Sequence, residues 1–313
     1  MPRAVRYDRY GAVDVLYVAD VARPAPAADE VVVEVVAAGL NPGEIGVREG
    51  LAHAIWPATF PSGQGSDLAG EVVAVGSAVS TPTIGAQVIG FTNRRAAQAD
   101  YVAVPADQVT PKPAAVGWDV AGSLFVAGTT AYAAVRAVGA EPGETVAVSA
   151  AAGGVGSLAV QLLRRQSVRV LAVAGEANHE WLASLGAMPI GYGEGIEGIE
   201  GVEEQLRAAA PEGVDAFIDT YGSGYVELAM RLGVAPVRIN TIIDFPAAKK
   251  FGTKSDGNMA AARADVLAEL AALIAEGAIS VAVSATYPVE QVREAYAELA
   301  RPHSRGKIVL RMR

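Results

Sequence analysis

The chain has no cysteine among its 313 residues. This absence excludes disulfides, thiol catalysis and any thiolate-based zinc site. Histidine is nearly as scarce, because the three imidazoles at His53, His179 and His303 lie far apart in the sequence, and a multi-histidine metal site is therefore not expected. Basic residues are outnumbered by acidic ones, and the net charge is −9. Such a surface works against binding to nucleic acid or to anionic lipid.

Secretion signals and long basic runs are missing as well. The first residues, MPRAVRYDRYG, have no apolar core of the kind that a signal peptide carries, so we expect a cytoplasmic protein. No basic run is longer than a pair such as Arg94-Arg95, which disfavours RNA binding. Hydrophobic residues make up 51% of the chain and charged residues 19%, values typical of a globular protein. The length predicts two domains or one large one.

The sequence changes character near residue 118. Before it, β-branched runs such as 30–42, 70–79 and 100–109 alternate with Gly and Pro turns and predict a β-rich barrel or sandwich. Beyond it, strands and helices alternate, which is typical of a doubly wound parallel sheet. The predicted strands are residues 144–150, 168–174, 214–222 and 236–244, and the predicted helices are residues 127–140, 156–165, 177–187 and 261–279.

The closing strand KIVLRM is easier to place in the β-rich part than in a finished parallel sheet. We therefore predict an α/β protein in which a Rossmann-type dinucleotide-binding domain, residues 121–261, is inserted into a β-rich domain formed by residues 1–120 and 262–313. Segment 191–205 is rich in Gly and Glu, and we predict a solvated loop that enters a helix.

No charged residue occurs in residues 145–163, and a run of this length suggests a membrane span. Its centre, however, carries the pattern Ala151-x-Gly153-x-x-Gly156 between a predicted strand and a predicted helix, close to the dinucleotide fingerprint G-x-G-x-x-G. Gly153 would let the backbone approach a pyrophosphate, and Gly156 would let the helix pack closely on the strand. The N–H groups at the helix start attract phosphate; they belong to Gly154, Val155 and Gly156. We predict a dinucleotide-binding turn, with a ligand-free turn as the alternative.

The stretch VSAAAGGVGSLAVQLLRR resembles the cofactor turn of zinc-free medium-chain dehydrogenases/reductases of the quinone oxidoreductase-like group. Residues 39–50 and 60–76, the helix AGTTAYAAV and the strand SRGKIVL resemble other segments of that group in the same order. The resemblance implies a GroES-like catalytic domain around the Rossmann domain, and a homodimer. It also implies no metal, because residues 41–44 and 65–67 replace the segments in which zinc-using members place Cys and His.

Cofactor choice depends on the end of the second strand of the Rossmann domain. A NAD site usually has Asp or Glu there to bind the ribose 2′-hydroxyl, whereas this strand ends at Ala174 and Gly175 and leaves room for the 2′-phosphate of NADPH. NADP-using relatives continue with Ser, a basic residue and Asn, and only Asn178 matches. Glu176 would repel a phosphate unless it turns outward. We favour NADPH over NADH, and candidates for the missing donor are His179, Arg169 and Tyr192, with an ordinary exposed polar residue as the alternative for His179.

The resemblance also implies contacts to the nicotinamide half of the cofactor. It places Asn41 near the nicotinamide ribose and Thr130 near the carboxamide. Three further residues, which follow the third and fourth predicted strands, would face the carboxyl edge of the sheet, where ligands bind in such folds; they are Thr220, Ile242 and Ile243.

A proton donor is harder to assign. Some relatives carry Tyr shortly after the Arg-x-Gly that matches residues 48–50, but this chain has Leu51-Ala52 and then His53. His53 could replace the phenol, water could protonate the product, or His53 could be a surface-loop residue.

Four other residues near the reacting end have two interpretations each. Arg48 is a candidate anion contact or a partner in a structural ion pair. Asp67 is a candidate catalytic carboxylate or a turn cap. Trp56 and Phe60 either line the substrate pocket or belong to an aromatic core.

The residues and the resemblance together predict an NADPH-dependent oxidoreductase that reduces a small electrophilic molecule, either a quinone or an activated alkene. Without zinc, a simple ketone is difficult to polarise, so conjugated acceptors are preferred. The alternative is a protein that binds NADPH as a sensor or structural element with little turnover.

Overall fold

The computed structural model describes residues 1–192, 199–301 and 305–313. His303 and the central part of the predicted loop 191–205 therefore lie outside the described residues. The chain divides into two compact units, one formed by residues 1–126 and 262–313 and the other by residues 127–261.

Strands and helices are numbered here along the chain. The strands are β1 Arg3–Tyr7, β2 Tyr17–Asp20, β3 Glu30–Gly39, β4 Ser62–Gly63, β5 Asp67–Val75, β6 Gln87–Phe91, β7 Tyr101–Pro105, β8 Val109–Pro111, β9 Thr145–Val148, β10 Arg169–Val173, β11 Met188–Ile190, β12 Ala216–Asp219, β13 Ile239–Thr241, β14 Val283–Pro288 and β15 Lys307–Arg311. The helices are α1 Pro42–Arg48, α2 Trp118–Ala121, α3 Phe125–Val138, α4 Gly154–Arg165, α5 His179–Ser184, α6 Ile199–Ala209, α7 Tyr225–Arg231, α8 Phe245–Phe251, α9 Asn258–Ala261, α10 Ala264–Ala275 and α11 Val292–Leu299.

The first unit is built on a seven-stranded sheet and a three-stranded sheet. The larger sheet has the order β14-β15-β3-β5-β6-β8, with β7 paired to β3, and the smaller has the order β2-β1-β4. Strand β15 pairs antiparallel with β3, so the closing strand joins the β-rich sheet as predicted. Alternate residues of these strands build one apolar core, which includes Val31, Val33, Leu68, Val72 and Ile308.

The second unit contains a five-stranded sheet of order β11-β10-β9-β12-β13, and every pair in it is parallel. All four residues of β9 and of β12 are buried, because a parallel sheet is covered on both faces. The predicted α/β fold class with a Rossmann-type parallel sheet is thereby confirmed. The uncharged run 145–163 is divided between β9, a turn and α4, and no described helix is long and apolar enough to cross a membrane.

Two predicted helices differ in the structure, and one strand was not predicted. The helix predicted at 261–279 is interrupted, because Arg263 is extended with φ −139° and ψ 148°, and only residues 264–275 form one long helix. Strand β11 was not predicted, since Pro189 at its centre disfavours a strand; at the edge of a sheet a proline is tolerated. Helix α5 is shorter than the predicted 177–187 and begins at His179.

Candidate functional site

The turn between β9 and α4 can be formed only with glycine at its last position. A Cβ atom on Gly156 would lie 2.4 Å from the carbonyl oxygen of Ala150 and 2.8 Å from the Cα of Ala151, so a side chain there would push the helix off the strand. A Cβ on Gly153 would meet only the Ala150 oxygen, at 3.3 Å. Gly153 is the N-cap of the twelve-residue helix α4.

The start of α4 offers donors to an anion. A helix cannot satisfy its own first N–H groups, and here those groups belong to Gly154, Val155 and Gly156. Gly153, Gly154 and Val155 are partly exposed. The turn therefore fits a pyrophosphate, in agreement with the sequence pattern.

The side chain of Asp219, at the end of β12, forms hydrogen bonds with residues at the ends of β9 and β13 in the second unit. This side chain is fully buried. Oδ1 accepts a hydrogen bond from the hydroxyl of Ser149, which follows β9, and Oδ2 accepts one from the hydroxyl of Thr241 at the end of β13, both at 2.7 Å. Oδ1 also accepts from the N–H groups of Tyr221 and Gly222, at 3.0 and 2.9 Å. The carboxylate thus sets the shape of the carboxyl edge of the sheet.

Three predicted cofactor residues lie at this edge. The N–H of Thr220 donates to the Ser149 hydroxyl at 2.8 Å, and the Thr220 hydroxyl donates to the Ser149 carbonyl at 2.7 Å. The N–H of Ile242 donates to the Asp219 carbonyl at 3.0 Å, and the side chain of Ile243 is 51% exposed. The role of Asp219 was missed from the sequence, although a single carboxylate at the end of the apolar strand AFID is a usable signal.

The end of β10 carries no carboxylate that points inward. Ala174 is buried, Gly175 is partly exposed and Glu176 is exposed. Asn178 is buried, and the Nε2 of His179 lies 3.0 Å from the carbonyl oxygen of Ala174, so it donates to that oxygen. The end of β10 can therefore accommodate either the ribose 2′-hydroxyl of NADH or the 2′-phosphate of NADPH.

The other residues predicted to contact the cofactor differ in their positions and exposure. Arg169 begins β10 and donates to the carbonyl of Ala209 at 2.7 Å. Four residues of strand, about 13 Å, lie between it and the carboxyl end, so Arg169 was a wrong candidate for the phosphate donor. Tyr192 is partly exposed; burial raises its pKa, and the neighbouring Tyr221 adds to that rise. Thr130 is buried on α3.

The first unit contains a cluster of polar side chains around helix α1, called the α1 cluster below. Its members are Asn41, Glu44, Gln64, Asp67, Gln98, Tyr296 and Lys307. Glu44 lies three residues after the N-cap Asn41, as in a capping box. Its Oε2 accepts from the Tyr296 hydroxyl at 2.5 Å and from the Asn41 N–H at 3.2 Å. Its Oε1 accepts from the Asn41 amide at 3.2 Å and from the Ser66 N–H at 3.3 Å.

A buried ion pair completes the α1 cluster. The Lys307 ammonium lies 3.6 Å from Asp67 Oδ2 and donates to the Leu40 carbonyl at 2.7 Å and to Asn41 Oδ1 at 2.5 Å. Asp67 Oδ1 accepts from the Val126 N–H at 3.0 Å. Burial raises the pKa of Asp67, and Lys307 opposes that rise. The Asn41 amide is therefore held at both ends, by Lys307 and by Glu44.

The α1 cluster gives the protein a pH-dependent stability. Burial raises the pKa of Glu44 to about 6 from its ordinary 4.5. The folded state thus holds this proton more tightly, so the contribution of Glu44 to stability is complete below pH 4.5 and is lost as the pH rises through about 6. We expect the free energy of unfolding of the wild type, relative to Glu44→Gln, to fall by about 2 kcal/mol between pH 4 and pH 8.

Urea denaturation of both proteins across this pH range measures the difference. Glu269→Gln, which changes an exposed carboxylate on α10, is the control and should show no such trend. A difference between wild type and Glu44→Gln that does not vary with pH would contradict the assignment.

The three predicted catalytic residues lie in different surroundings. Asp67 belongs to the α1 cluster. Arg48 is only 2% exposed, and its guanidinium lies 5.2 Å from the ring centroid of Tyr296 and 3.6 Å from the Glu49 carboxylate. These contacts favour the interpretation as a partner in a structural ion pair, and the anion contact stays a prediction. His53 is exposed, and its Nδ1 lies 2.8 Å from the hydroxyl of Tyr10.

The aromatic residues after His53 are not part of the core. Trp56 is 50% exposed and Phe60 39% exposed, which favours the interpretation that they line a binding surface. Phe60 packs edge-on against Tyr10, with ring centroids 5.1 Å apart. The contact between Tyr10 and His53 was missed, because 43 residues separate them in sequence and no motif links them.

Known proteins resemble the chain along its whole length. Residues 27–114 match the alcohol dehydrogenase GroES-like domain, and residues 198–310 match a zinc-binding dehydrogenase model. The chain is 30% identical to 2-methylene-furan-3-one reductase of Solanum lycopersicum, over 98% of this chain and 78% of that protein. It is 33% identical to the chloroplastic quinone-oxidoreductase homolog of Spinacia oleracea, over 59% of this chain and 59% of that protein. The structure of the quinone oxidoreductase from Coxiella burnetii has a TM-score of 0.89 at 28% identity, covering 100% of this chain and 99% of that one.

Zinc, which one of those descriptions names, does not fit this chain. Cysteine is absent, and within the described residues no group of three or more His, Asp or Glu side chains could hold a metal ion. Glu44 and Asp67 are occupied instead by phenol, amide, ammonium and backbone donors. With the glycine turn, the GroES-like match and a relative that is 30% identical over nearly the whole chain, this protein belongs to the zinc-free, quinone oxidoreductase-like medium-chain dehydrogenases/reductases.

Proposed function

We propose that the protein is an oxidoreductase that reduces a quinone or an activated alkene with hydride from NADPH. The observation that carries this proposal is the turn at Gly153–Gly156, where the helix start offers donors and a Cβ on the last glycine would strike the backbone. Bound nicotinamide supplies the hydride, and the protein must position it and stabilise charge on the acceptor. The names of relatives that reduce a methylene-furanone or a quinone support this reaction class.

In this proposal the second unit binds the cofactor and the first unit binds the substrate. The pyrophosphate would contact Gly153, Gly154, Val155 and Gly156, and the nicotinamide half would contact Thr130, Thr220, Ile242 and Ile243 of the same unit. The contact from Asn41, a residue of the first unit, stays a prediction from the sequence. A homodimer and a cytoplasmic location stay predictions from the sequence. Since the chain has no cysteine and three scattered histidines, conjugated acceptors, which need no metal to accept hydride, are the preferred substrates.

NADPH is proposed over NADH because of the end of β10. Gly175 has no side chain, and the exposed Glu176 can turn away from a phosphate. Asn178, His179 and Tyr192 supply polar atoms nearby. A 2′-phosphate is therefore repelled less at this position than it would be beside an inward-facing carboxylate.

Replacing Glu176 with lysine should strengthen NADPH binding about tenfold and leave NADH binding unchanged, because only NADPH carries the 2′-phosphate that the new charge attracts. Fluorescence titration with both cofactors measures the two dissociation constants. Glu180→Lys, at an exposed position on α5, is the control for net charge and should change neither constant. Equal gains for NADPH and NADH, or tighter binding of NADH by the wild type, would contradict the cofactor proposal.

The reaction itself is tested by following NADPH consumption. Candidate acceptors are quinones, enals and enoyl thioesters, with a simple ketone as the negative control. We expect turnover with at least one conjugated class and none with the ketone. Tight NADPH binding with no turnover of any class would favour the alternative, a protein that senses or stores NADPH.

A further inference from the structure

We propose that Tyr10 orients the imidazole of His53 and passes a proton to its Nδ1. The imidazole then delivers a proton from Nε2 to the carbonyl oxygen of the substrate as hydride arrives. This inference rests on the proposed function and adds to it the source of the proton. In this role His53 is the catalytic residue and Tyr10 is the positioning residue behind it.

The hydroxyl of Tyr10 has two neighbours. It accepts a hydrogen bond from the N–H of Ala58 at 2.8 Å and lies 2.8 Å from Nδ1 of His53. The Ala58 N–H donates to the phenol oxygen, and we assign the phenol hydrogen to Nδ1 of His53, which then accepts it. A neutral imidazole that accepts at Nδ1 carries its own hydrogen on Nε2. The pair thus selects one tautomer of His53.

The ring of Tyr10 is held in place by its surroundings. Gly50 has φ +85°, and a Cβ there would lie 3.0 Å from Cγ of Tyr10, so the ring rests directly on the glycine. Phe60 contacts the same ring edge-on, with the ring centroids 5.1 Å apart. The phenol oxygen therefore stays at the hydrogen-bonding distance from His53, which is what a proton relay requires.

The segment that carries His53 exposes several apolar side chains. Leu51 is 82% exposed, Ile55 77% and Trp56 50%, an unusual concentration on one short segment. Arg95 contacts the backbone of this segment, since it donates to the carbonyl oxygens of Trp56 and Pro57 at 2.7 and 3.3 Å. A flat, conjugated, uncharged substrate suits such a surface.

The proton transfer balances as follows. When the β-carbon of an enone accepts hydride, the electron pair of the C=C bond moves toward the carbonyl oxygen, which becomes an enolate. The Nε2–H bond of His53 breaks and an O–H bond forms on that oxygen, while the Tyr10 proton passes to Nδ1. The imidazole stays neutral and the N–H of Ala58 stabilises the phenolate. The starting state returns when Nε2 takes one proton from solvent and the Nδ1 proton passes back to the phenolate.

The tautomer can be tested without cofactor or turnover. The chain has three histidines, so selective ¹⁵N-histidine labelling gives a simple spectrum, in which His53→Gln identifies the signals of His53. We expect neutral His53 to show the Nε2–H tautomer in the wild type. In Tyr10→Phe, which keeps the ring contacts with Gly50 and Phe60, we expect the two nitrogen shifts to move toward each other as the tautomers mix. A wild-type His53 with a mixed or Nδ1–H pattern would overturn the inference.

Kinetics test the proton transfer. We expect kcat with an enone to fall about 100-fold in His53→Gln, whose amide can donate a hydrogen bond but not a proton, and about tenfold in Tyr10→Phe, with KM nearly unchanged. Added imidazole should partly restore His53→Ala. Tyr17→Phe, which removes a hydroxyl bonded to Asp8 on the same unit, is the control and should keep the wild-type kcat.

The two proposals fail in different ways. If the wild type reduces enones and both His53→Gln and Tyr10→Phe keep its kcat, the inference about His53 is wrong while the proposed function stands. If the wild type shows the Nε2–H tautomer but reduces no conjugated acceptor, the proposed function is wrong, and the proton-transfer step falls with it.

Discussion

Replacing Gly156 with alanine is expected to destabilise the protein by about 3 kcal/mol and to weaken NADPH binding at least 100-fold. The added methyl group would lie 2.4 Å from the Ala150 carbonyl oxygen and 2.8 Å from the Ala151 Cα. Both are backbone atoms of the turn, so no side chain can move aside, and the helix must shift away from β9. That shift would displace the N–H groups that are proposed to hold the pyrophosphate. Urea denaturation and a fluorescence titration measure the two effects.

Two other glycines serve as controls for this substitution. Gly257→Ala, in the same unit, meets no atom within 4 Å and should change the free energy of unfolding by less than about 0.5 kcal/mol with no effect on binding. Gly153→Ala meets only the Ala150 oxygen, at 3.3 Å, and should weaken NADPH binding more than it weakens the fold. If Gly156→Ala changed the free energy of unfolding and NADPH binding as little as Gly257→Ala, the backbone of Ala150 and Ala151 would not lie in close contact with position 156.

Replacing Asp219 with alanine is expected to cost about 4 kcal/mol of unfolding free energy and to weaken cofactor binding at least tenfold. The substitution removes the acceptor of the Ser149 and Thr241 hydroxyls and of the Tyr221 and Gly222 N–H groups. These donors would be left unpaired inside the protein, which is costly. The segments that carry Thr220 and Ile242 would lose their common anchor, so binding should fall together with stability.

The matched control is Asp215→Ala, at the residue before β12 in the same unit. Asp215 is exposed and accepts one hydrogen bond, from the Thr145 N–H at 2.7 Å, so its loss should cost only about 1 kcal/mol. Thermal unfolding in the presence and absence of NADPH reports both properties. A stable Asp219→Ala protein that binds NADPH normally would show that the carboxylate does not organise this edge.

The features that follow from local sequence were the predictable ones. The alternation of strands and helices predicted the parallel sheet, because buried strands are continuous apolar runs and their flanking turns carry glycine. The turn at Gly153–Gly156 was predictable for the same reason, since one short segment contains the strand end, the glycines and the helix start.

Contacts between distant parts of the chain could not be predicted. Tyr296 reaches Glu44 across 252 residues and Lys307 reaches Asn41 across 266, and no pattern in either segment indicates its partner. For the same reason the sequence left open whether Arg48 binds an anion or stabilises the fold, and its burial beside Tyr296 favours the second role. The sequence also kept Arg169 among three candidates for the phosphate donor, because it shows proximity along the chain and not that Arg169 begins β10, at the end opposite the cofactor edge.

The most direct test of the proposed reaction is the fate of the hydride. The protein is incubated with an enal and with NADPH deuterated at C4, and the product is analysed by NMR. We predict one deuterium at the β-carbon of the saturated aldehyde and a solvent-derived hydrogen at the α-carbon. An enal returned unchanged after NADPH binding has been demonstrated, or a product that lacks deuterium at the β-carbon, would contradict the proposal.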